Sequence, residues 1–330
     1  LEEVAKAHGT PRRTVLLESD GSAKASVPLE VSDDPCWALL SATGLVARTA
    51  DAAPPSREGP RAPHDAVGSA VATTARGQVG VVTSAGRIVR LEVVDAPALP
   101  AATSAPSLAG GAQLRELVPL EPGERALALA DLSPDAAPLA LATAHGRIKR
   151  LAAAHPAKGS WDVISLEEDD AVVAAGHCRD GDQIVLVSSD AQLLRFDASA
   201  VRPQGRTGRG VAGIRLAEGG RVIALGVVPA DDVAGHLVAT VSGSRDALQG
   251  TVAGSAKVTP LDRFPSKGRA TAGVRAQRFL HGEDCLQLAF VGPDPLRAVG
   301  TGGQPVDLPA ADERRDGSGV PLTAPVSAVG

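Results

Sequence analysis

One pattern recurs along this chain: an apolar run, then Ser/Thr-x-x-Gly, then x-apolar-x-Arg. It appears as Ser41-Ala-Thr-Gly44-Leu-Val-Ala-Arg48, as Thr83-Ser-Ala-Gly86-Arg-Ile-Val-Arg90 and as Thr143-Ala-His-Gly146-Arg-Ile-Lys-Arg150. Ser188-Ser-Asp-Ala191-Gln-Leu-Leu-Arg195 is a fourth copy, with Ala in the glycine position. A fifth begins at Thr240-Val-Ser-Gly243, with an insertion before Lys257, and a sixth around Gly300-Thr-Gly-Gly303 lacks the Arg. The copies start at 41, 83, 143, 188, 240 and 300, so six units fill the 330 residues. Self-similarity at this period is the mark of stacked or radial repeats, because one small unit cannot bury its apolar face alone. Each unit reads as a β-hairpin whose turn needs a residue tolerant of positive φ. The expected fold is therefore all-β: a six-bladed, propeller-like disc.

The rest of the sequence agrees with many short strands. The runs Trp37–Leu40, Gln78–Thr83, Ile88–Val94, Leu139–Thr143, Ile184–Ser188, Leu193–Phe196, Arg221–Val228 and Leu237–Val241 are each bounded by Gly, Pro, Asp or Ser. Gly (36) and Pro (25) exceed ordinary usage and suit a turn-rich fold. Six aromatic residues in all leave the core to Val, Leu, Ile and Ala. The only helical signal is at the start, where Leu1, Val4, Ala5 and His8 share a face, Gly9 can stop the helix and Pro11 blocks it. Residues 1–30 are read as a linker and 31–330 as the disc. A chain that lacks Met and begins at Leu1 is expected to be part of a longer polypeptide.

Net charge is −5, which argues against nucleic acid, but its distribution does not. Asp162–Asp182 carries seven acids and one base, whereas Arg202–Arg215 carries four Arg and no acid. Three well-separated cysteines, Cys36, Cys178 and Cys285, form no disulfide framework and no C-x-x-C, so a reducing cytoplasm is the expected home. No run of 18 apolar residues suggests a membrane span.

Two features carry candidate chemistry. Arg48, Arg90, Arg150 and Arg195 fall at equivalent repeat positions, and equivalent positions in a radial array share one rim. Cations in register there would attract a polyanion bending along the disc. Arg147 and Lys149 lie in the same strand as Arg150. The second feature is Arg202-Pro-Gln-Gly-Arg-Thr-Gly-Arg-Gly210. Gln204, Arg206 and Arg209 supply donors, and Gly205, Gly208 and Gly210 allow close backbone approach to a phosphate. It fits neither G-x-x-x-x-G-K-[ST] nor G-x-G-x-x-G. Near-misses elsewhere fail: His281-Gly-Glu283 with Cys285 has no following P-C-x-x-C, and no H-E-x-x-H or G-x-S-x-G occurs. No catalysis, metal or cofactor is expected, and absence of Tyr removes any tyrosine nucleophile.

The segment His8-Gly-Thr-Pro-Arg-Arg-Thr14 resembles the end of the coiled-coil region in the A subunits of bacterial type IIA topoisomerases. Val201-Arg-Pro-Gln-Gly-Arg-Thr-Gly-Arg-Gly-Val-Ala-Gly-Ile-Arg-Leu216 is similar to the fourth blade of their C-terminal domain, and Pro265-Ser-Lys-Gly-Arg-Ala-Thr-Ala-Gly-Val274 to the fifth. The resemblance implies a β-pinwheel, in which neighbouring blades exchange a strand. It implies binding and bending of double-stranded DNA around the rim. Its implied partners are the catalytic core of the same A subunit and an ATPase B-type subunit, in a cytoplasmic, nucleoid-associated setting. The Gln-Arg-Arg-Gly-Gly-Lys-Gly box of gyrase A subunits is absent from the corresponding stretch, Pro54–Asp65. That favours the topoisomerase IV type, or a gyrase-like paralogue with reduced wrapping. A protein-interaction platform and a channel enzyme are the rival readings.

Overall fold

The computed structural model describes residues 3, 6, 31–153, 155–247 and 252–330. The chain divides into a unit Leu1–Val31 and a unit Ser32–Gly330. In the first, Glu3 and Lys6 are helical; the remainder of the linker reading lies outside the described residues. Among the described residues no helix is long and apolar enough to cross a membrane.

Ser32–Gly330 is a ring of six β-sheets, built as the repeats require. Blade one starts with β1 (Pro35–Ser41), β2 (Leu45–Arg48) and β3 (Val67–Thr74), and blade two with β4 (Gln78–Thr83) and β5 (Arg87–Glu92). The chain then crosses back: β6 (Ala112–Gln113) adds to β2 of blade one before β7 (Ala126–Asp131) completes the run of blade two. The same excursion repeats. After β8 (Leu139–Thr143) and β9 (Arg147–Leu151), β10 (Ser160–Asp162) returns to β5, and β11 (Val172–His177) closes onto β8. After β12 (Asp182–Ser188) and β13 (Gln192–Asp197), β14 (Pro203–Gln204) and β15 (Val211–Ala212) return to β9, and β16 (Val222–Pro229) pairs with β12. After β17 (His236–Gly243) and β18 (Ser255–Pro260), β19 (Val274–Arg275) returns to β13, and β20 (Cys285–Pro293) pairs with β17. Blade six is the slightest, with β21 (Ala298–Val299), β22 (Pro305–Val306), β23 (Val320–Pro321) returning to β18, and β24 (Ala328–Val329) on β21. Every hairpin thus sends a crossing segment to the blade before it, which is the exchange of a pinwheel.

The turn residues behave as the repeat demands. Gly44, Gly86, Gly146 and Gly303 have φ of 88, 76, 84 and 78°, and Ala191 takes φ 60° in the fourth copy. The fifth copy differs from expectation. Gly254 (φ 55°), directly before β18, is left-handed, whereas Gly243 ends β17 in extended backbone. The insertion lengthens the loop, and the left-handed position stays directly before the return strand, as in the first four copies, which places it at Gly254 and leaves Gly243 extended.

Packing is sheet against sheet. Ala140, Ile148, Ile184, Leu186 and Phe196 join blades three and four, and Val187, Val228, Val238 and Val291 join four and five. Small aliphatic side chains suit closely nested blades. Cys36, Cys178 and Cys285 are buried and free.

The ring closes on blade six through the segment corresponding to the other crossings, residues 49–66 of blade one. Its His64 N–H donates to Gly303 O at 2.8 Å. Arg297 donates to the carbonyls of Arg57, Gly59 and Pro60, and Arg61 to those of Ala298 and Val306. The stretch Pro54–Asp65 is therefore a structural clasp.

Candidate nucleic-acid interface

The repeated arginines do not form an exposed rim. Each stands where its blade receives the crossing segment: Arg48 N donates to Pro97 O, Arg90 N to Gly159 O, and Arg195 O accepts from Lys267 N. The side chains of Arg90 and Arg150 turn to the same junction. Arg90 spends its guanidinium on Lys158 O (2.8 Å), Pro156 O (2.7 Å) and Gln78 Oε1 (2.8 Å), and lies 5.1 Å from the Trp161 ring centre. Arg150 is 1% exposed and donates to the carbonyls of Ala198, Val201 and Cys178, with Asp180 at 2.7 Å. Arg48 and Arg195 are half-buried, each with an interior Nε that has no partner among the described residues. Lys149 is 0% exposed. The expected exposed row is corrected at Arg150 and Lys149, which are buried, while Arg48, Arg90 and Arg195 are half-buried: a strand that carries a crossing segment shields its own side chains. Regular spacing arose from a repeated junction.

The Gly/Arg loop is different. It is the crossing segment of the fourth repeat, laid over blade three, and Arg202, Gly205, Arg206 and Arg209 are exposed. The guanidinium groups of Arg202, Arg206 and Arg209 donate to no protein acceptor among the described residues. The backbone beneath them is tied down. Lys149 Nζ donates to Val163 O (2.6 Å), Arg206 O (2.8 Å) and Gly208 O (2.8 Å). Arg147 donates to the carbonyls of Arg209 (3.0 Å) and Gly210 (3.3 Å), and pairs with Glu167 at 3.5 Å. Gln204 Oε1 accepts from Gly210 N at 3.2 Å. Arg147 and Gln204 thus shape the loop from below. Burial with no compensating carboxylate lowers the Lys149 pKa to about 8.

The glycines also divide. Gly210 is left-handed, and a Cβ there would lie 2.6 Å from Ile148 O, so its close approach is to β9. Gly208 folds against the Gln204 side chain, and Gly205 faces open space.

A neighbouring segment that the residue pattern left unassigned completes the surface. The fifth repeat's crossing segment, between Phe264 and β19, lies beside the first: Ala270 N donates to Gly213 O (2.7 Å), Arg215 N to Thr271 O (3.0 Å), and Arg269 to Ala212 O. Together they form a ledge with Arg202, Arg206, Arg209, Arg215, Lys267 and Arg275 exposed. Residues 198–217 and 263–282 contain no Asp or Glu. Around the ring the character changes. The crossing segment 96–111 on blade one has no charged residue, and 307–319 on blade five has four acids against two Arg. The signal was available: acid-free stretches located by repeat position.

Comparison with known proteins follows this division. The family model described as DNA gyrase C-terminal domain, beta-propeller matches residues 182–229 and 250–290, the segments that contain both halves of the ledge. The DNA gyrase A subunit of Mycobacterium tuberculosis (strain ATCC 25618 / H37Rv) is 27% identical over 340 aligned positions, covering 96% of this chain and 37% of that protein. The chain spans about a third of the length of the curated relatives it matches. Two solved structures share the fold. The C-terminal domain of DNA topoisomerase IV aligns with TM-score 0.65 at 17% identity over 91% of this chain and 94% of that one. The DNA gyrase A C-terminal domain aligns with TM-score 0.60 at 16% identity over 90% and 99%. The fold is a strand-exchanged propeller, shared with the C-terminal domains of DNA topoisomerase IV and of DNA gyrase A. The resemblance expected from the sequence is found, and in sequence it runs to the A subunits of DNA gyrase.

Proposed function

We propose that this ring is a duplex-DNA-binding domain of a type IIA topoisomerase A subunit, bending DNA and presenting it to the catalytic core of the same subunit. The observation that carries the reading is the ledge on blades three and four. Its arginines are exposed on fixed backbone, without acids between them in sequence, and Lys267 beside them donates to Gly273 O. Such a surface neutralises phosphates and does not read bases. The parent enzyme would work with an ATPase B-type subunit in the nucleoid.

The contact is confined to an arc. Blade one offers an uncharged crossing segment, the Pro54–Asp65 stretch is occupied in ring closure, and blade five is acidic. An arc bends DNA without encircling the disc, which supports the topoisomerase IV type. A gyrase A subunit that wraps DNA is the second reading, favoured by the curated relative being a gyrase subunit. Titration of a linear duplex at two salt concentrations tests binding; loss of affinity with salt is expected, and a salt-independent or absent complex would overturn the reading. Footprinting with the full-length subunit separates the two types: a short footprint with decatenation supports the first, and a footprint long enough to circle the ring with supercoiling supports the second.

A further inference from the structure

The third residue after each hairpin-turn position is buried in all six blades: Ala47, Val89, Lys149, Leu194, Lys257 and Val306. Four are apolar, as such a site demands. Two are lysines, which almost never occur fully buried without a partner that offsets the lost hydration. In both the amine enters the underside of the crossing segment. Lys257 Nζ donates to Arg315 O (3.1 Å) and to Thr259 Oγ1. Lys149 has three donors and three carbonyl acceptors, at 2.6, 2.8 and 2.8 Å, and no carboxylate contacts it among the described residues. Two of those carbonyls, of Arg206 and Gly208, belong to the loop that exposes Arg206 and Arg209.

The arrangement has an electrostatic consequence. Carbonyl oxygens repel phosphate; held on a buried ammonium, these face away from any polyanion above the loop. The ammonium's own charge is uncancelled by a counter-charge and lies beneath one turn of backbone. On blade five the same device sits under a loop carrying Asp312, Glu313 and Asp316, whose acids counter it.

We propose that Lys149 is the positioning residue of the ledge, holding the loop's carbonyls inward so that Arg206 and Arg209 face the phosphates of duplex DNA, and adding its own charge from below. The proposal rests on the DNA-binding reading for its ligand, but its loop-ordering half does not. Because burial lowers the Lys149 pKa to about 8, its charge is lost across a mildly alkaline range. The charged groups facing it are Arg147 and Arg150 on β9, Asp162 on β10, Glu167 paired to Arg147, and Arg206 and Arg209 above.

The test compares Lys149→Met with Lys257→Met; apolar residues already occupy this position in four blades, so both variants are expected to fold. Without DNA, trypsin should cut after Arg206 and Arg209 faster in Lys149→Met than in the parent or Lys257→Met. With a linear duplex at low salt, Lys149→Met should bind about tenfold more weakly, the scale of one charge lost near phosphate, and Lys257→Met like the parent. Parent affinity should fall as pH rises from 7 to 9.5, and this fall should shrink in Lys149→Met while Lys257 still titrates. Equal cleavage in all three proteins, or equal loss of affinity in both variants, would overturn the proposal. A parent that binds no duplex would overturn the DNA-binding reading instead, and with it the charge half of the proposal. The cleavage result would then stand alone.

Discussion

Asp65 and Arg297, 232 positions apart in sequence, share a 2.7 Å charge-assisted hydrogen bond that seals the ring. The Asp65 carboxylate also accepts from Arg61 Nε (2.8 Å) and from Ala62 N (3.0 Å), and both Asp65 and Arg297 are nearly inaccessible. Removing one member of a buried pair leaves uncompensated charge and costs about 3–5 kcal/mol. Asp65→Asn keeps the shape and removes the charge, so it should destabilise on that scale while leaving ledge contacts intact. Urea denaturation measures it. A loss under about 1 kcal/mol, the scale of an exposed pair, would mean that the apolar seam of Ala66, Val299 and Ala328 closes the ring by itself.

The titrating groups give stability a direction at each end of the pH scale. Burial raises the Asp65 pKa, but Arg61, the Ala62 N–H and Arg297 together outweigh it and hold the carboxyl below its usual range. Arg87 brings Glu124 down to about 2 through a two-pronged contact at 2.7 and 2.5 Å. Both folded pKa values lie below the unfolded ones. Their contribution is therefore complete above about pH 4.5 and lost as pH falls towards 2. Burial lowers Lys149 and Lys257 to about 8, the latter against the opposing pull of Asp312 and Asp316. Unfolded lysine stays protonated to about 10.4, so the unfolded state binds more protons between these values and stability rises with pH. Urea midpoints should fall from pH 4.5 to 3 and climb from pH 8 to 10. A flat alkaline limb would contradict the buried amines.

Exchanging the roles of the arginines separates packing from contact. Arg150→Ala strands three buried carbonyls and should cost about 3 kcal/mol, since an unsatisfied buried polar group costs about 1–3 kcal/mol. Its effect on DNA affinity should be small while the protein remains folded. Arg206→Ala with Arg209→Ala should leave thermal unfolding within about 0.5 kcal/mol, as for exposed sites generally. That double variant should weaken duplex binding about five- to hundredfold, alike for all sequences, and lower the salt slope by about 2. A double variant that binds as the parent does, with Arg150→Ala losing affinity at unchanged stability, would return the contact to the repeated arginines.

Much of the ring was legible because its repeat carries its own turn chemistry: Gly44, Gly86 and Gly146 mark each tight hairpin. The strands Trp37–Leu40 and Ile184–Ser188 read well because Leu, Ile and Val dominate them. The strands β3, β7 and β11, each at the sheet edge away from the crossing segment, did not, since Val-Gly-Ser-Ala-Val-Ala, Ala-Leu-Ala-Leu-Ala and Val-Val-Ala-Ala-Gly have too much Ala and Gly for local propensity to act; they form by pairing with a neighbouring hairpin. The candidate site failed at a definite step. Repeat register correctly gave Arg90 and Arg150 equivalent places, but one-dimensional register does not show that a later segment crosses over them. Composition was the better guide, because acid-free Arg202–Arg215 is itself such a crossing segment.

The last prediction follows from Gly210 and Gly205 of that segment. Gly210 has φ 72°, and an added Cβ would stand 2.6 Å from Ile148 O and 3.1 Å from the Lys149 side chain. A left-handed non-glycine residue costs about 1–2 kcal/mol, and the clash is with strand backbone that has little room to yield. Gly210→Ala should therefore lift the loop off β9, weakening the Gln204 contact to its N–H and the Arg147 contact to its carbonyl. Gly205 has no left-handed φ, and its Cβ would meet nothing within 4 Å. Gly205→Ala should leave the loop in place and raise stability slightly, because alanine restricts the unfolded chain by about 0.4–1 kcal/mol relative to glycine. If the ledge works through fixed geometry, duplex affinity falls in Gly210→Ala and holds in Gly205→Ala, though neither substitution changes a charge. Equal affinities in a gel-shift titration would show that charge density alone, free of loop geometry, governs the contact.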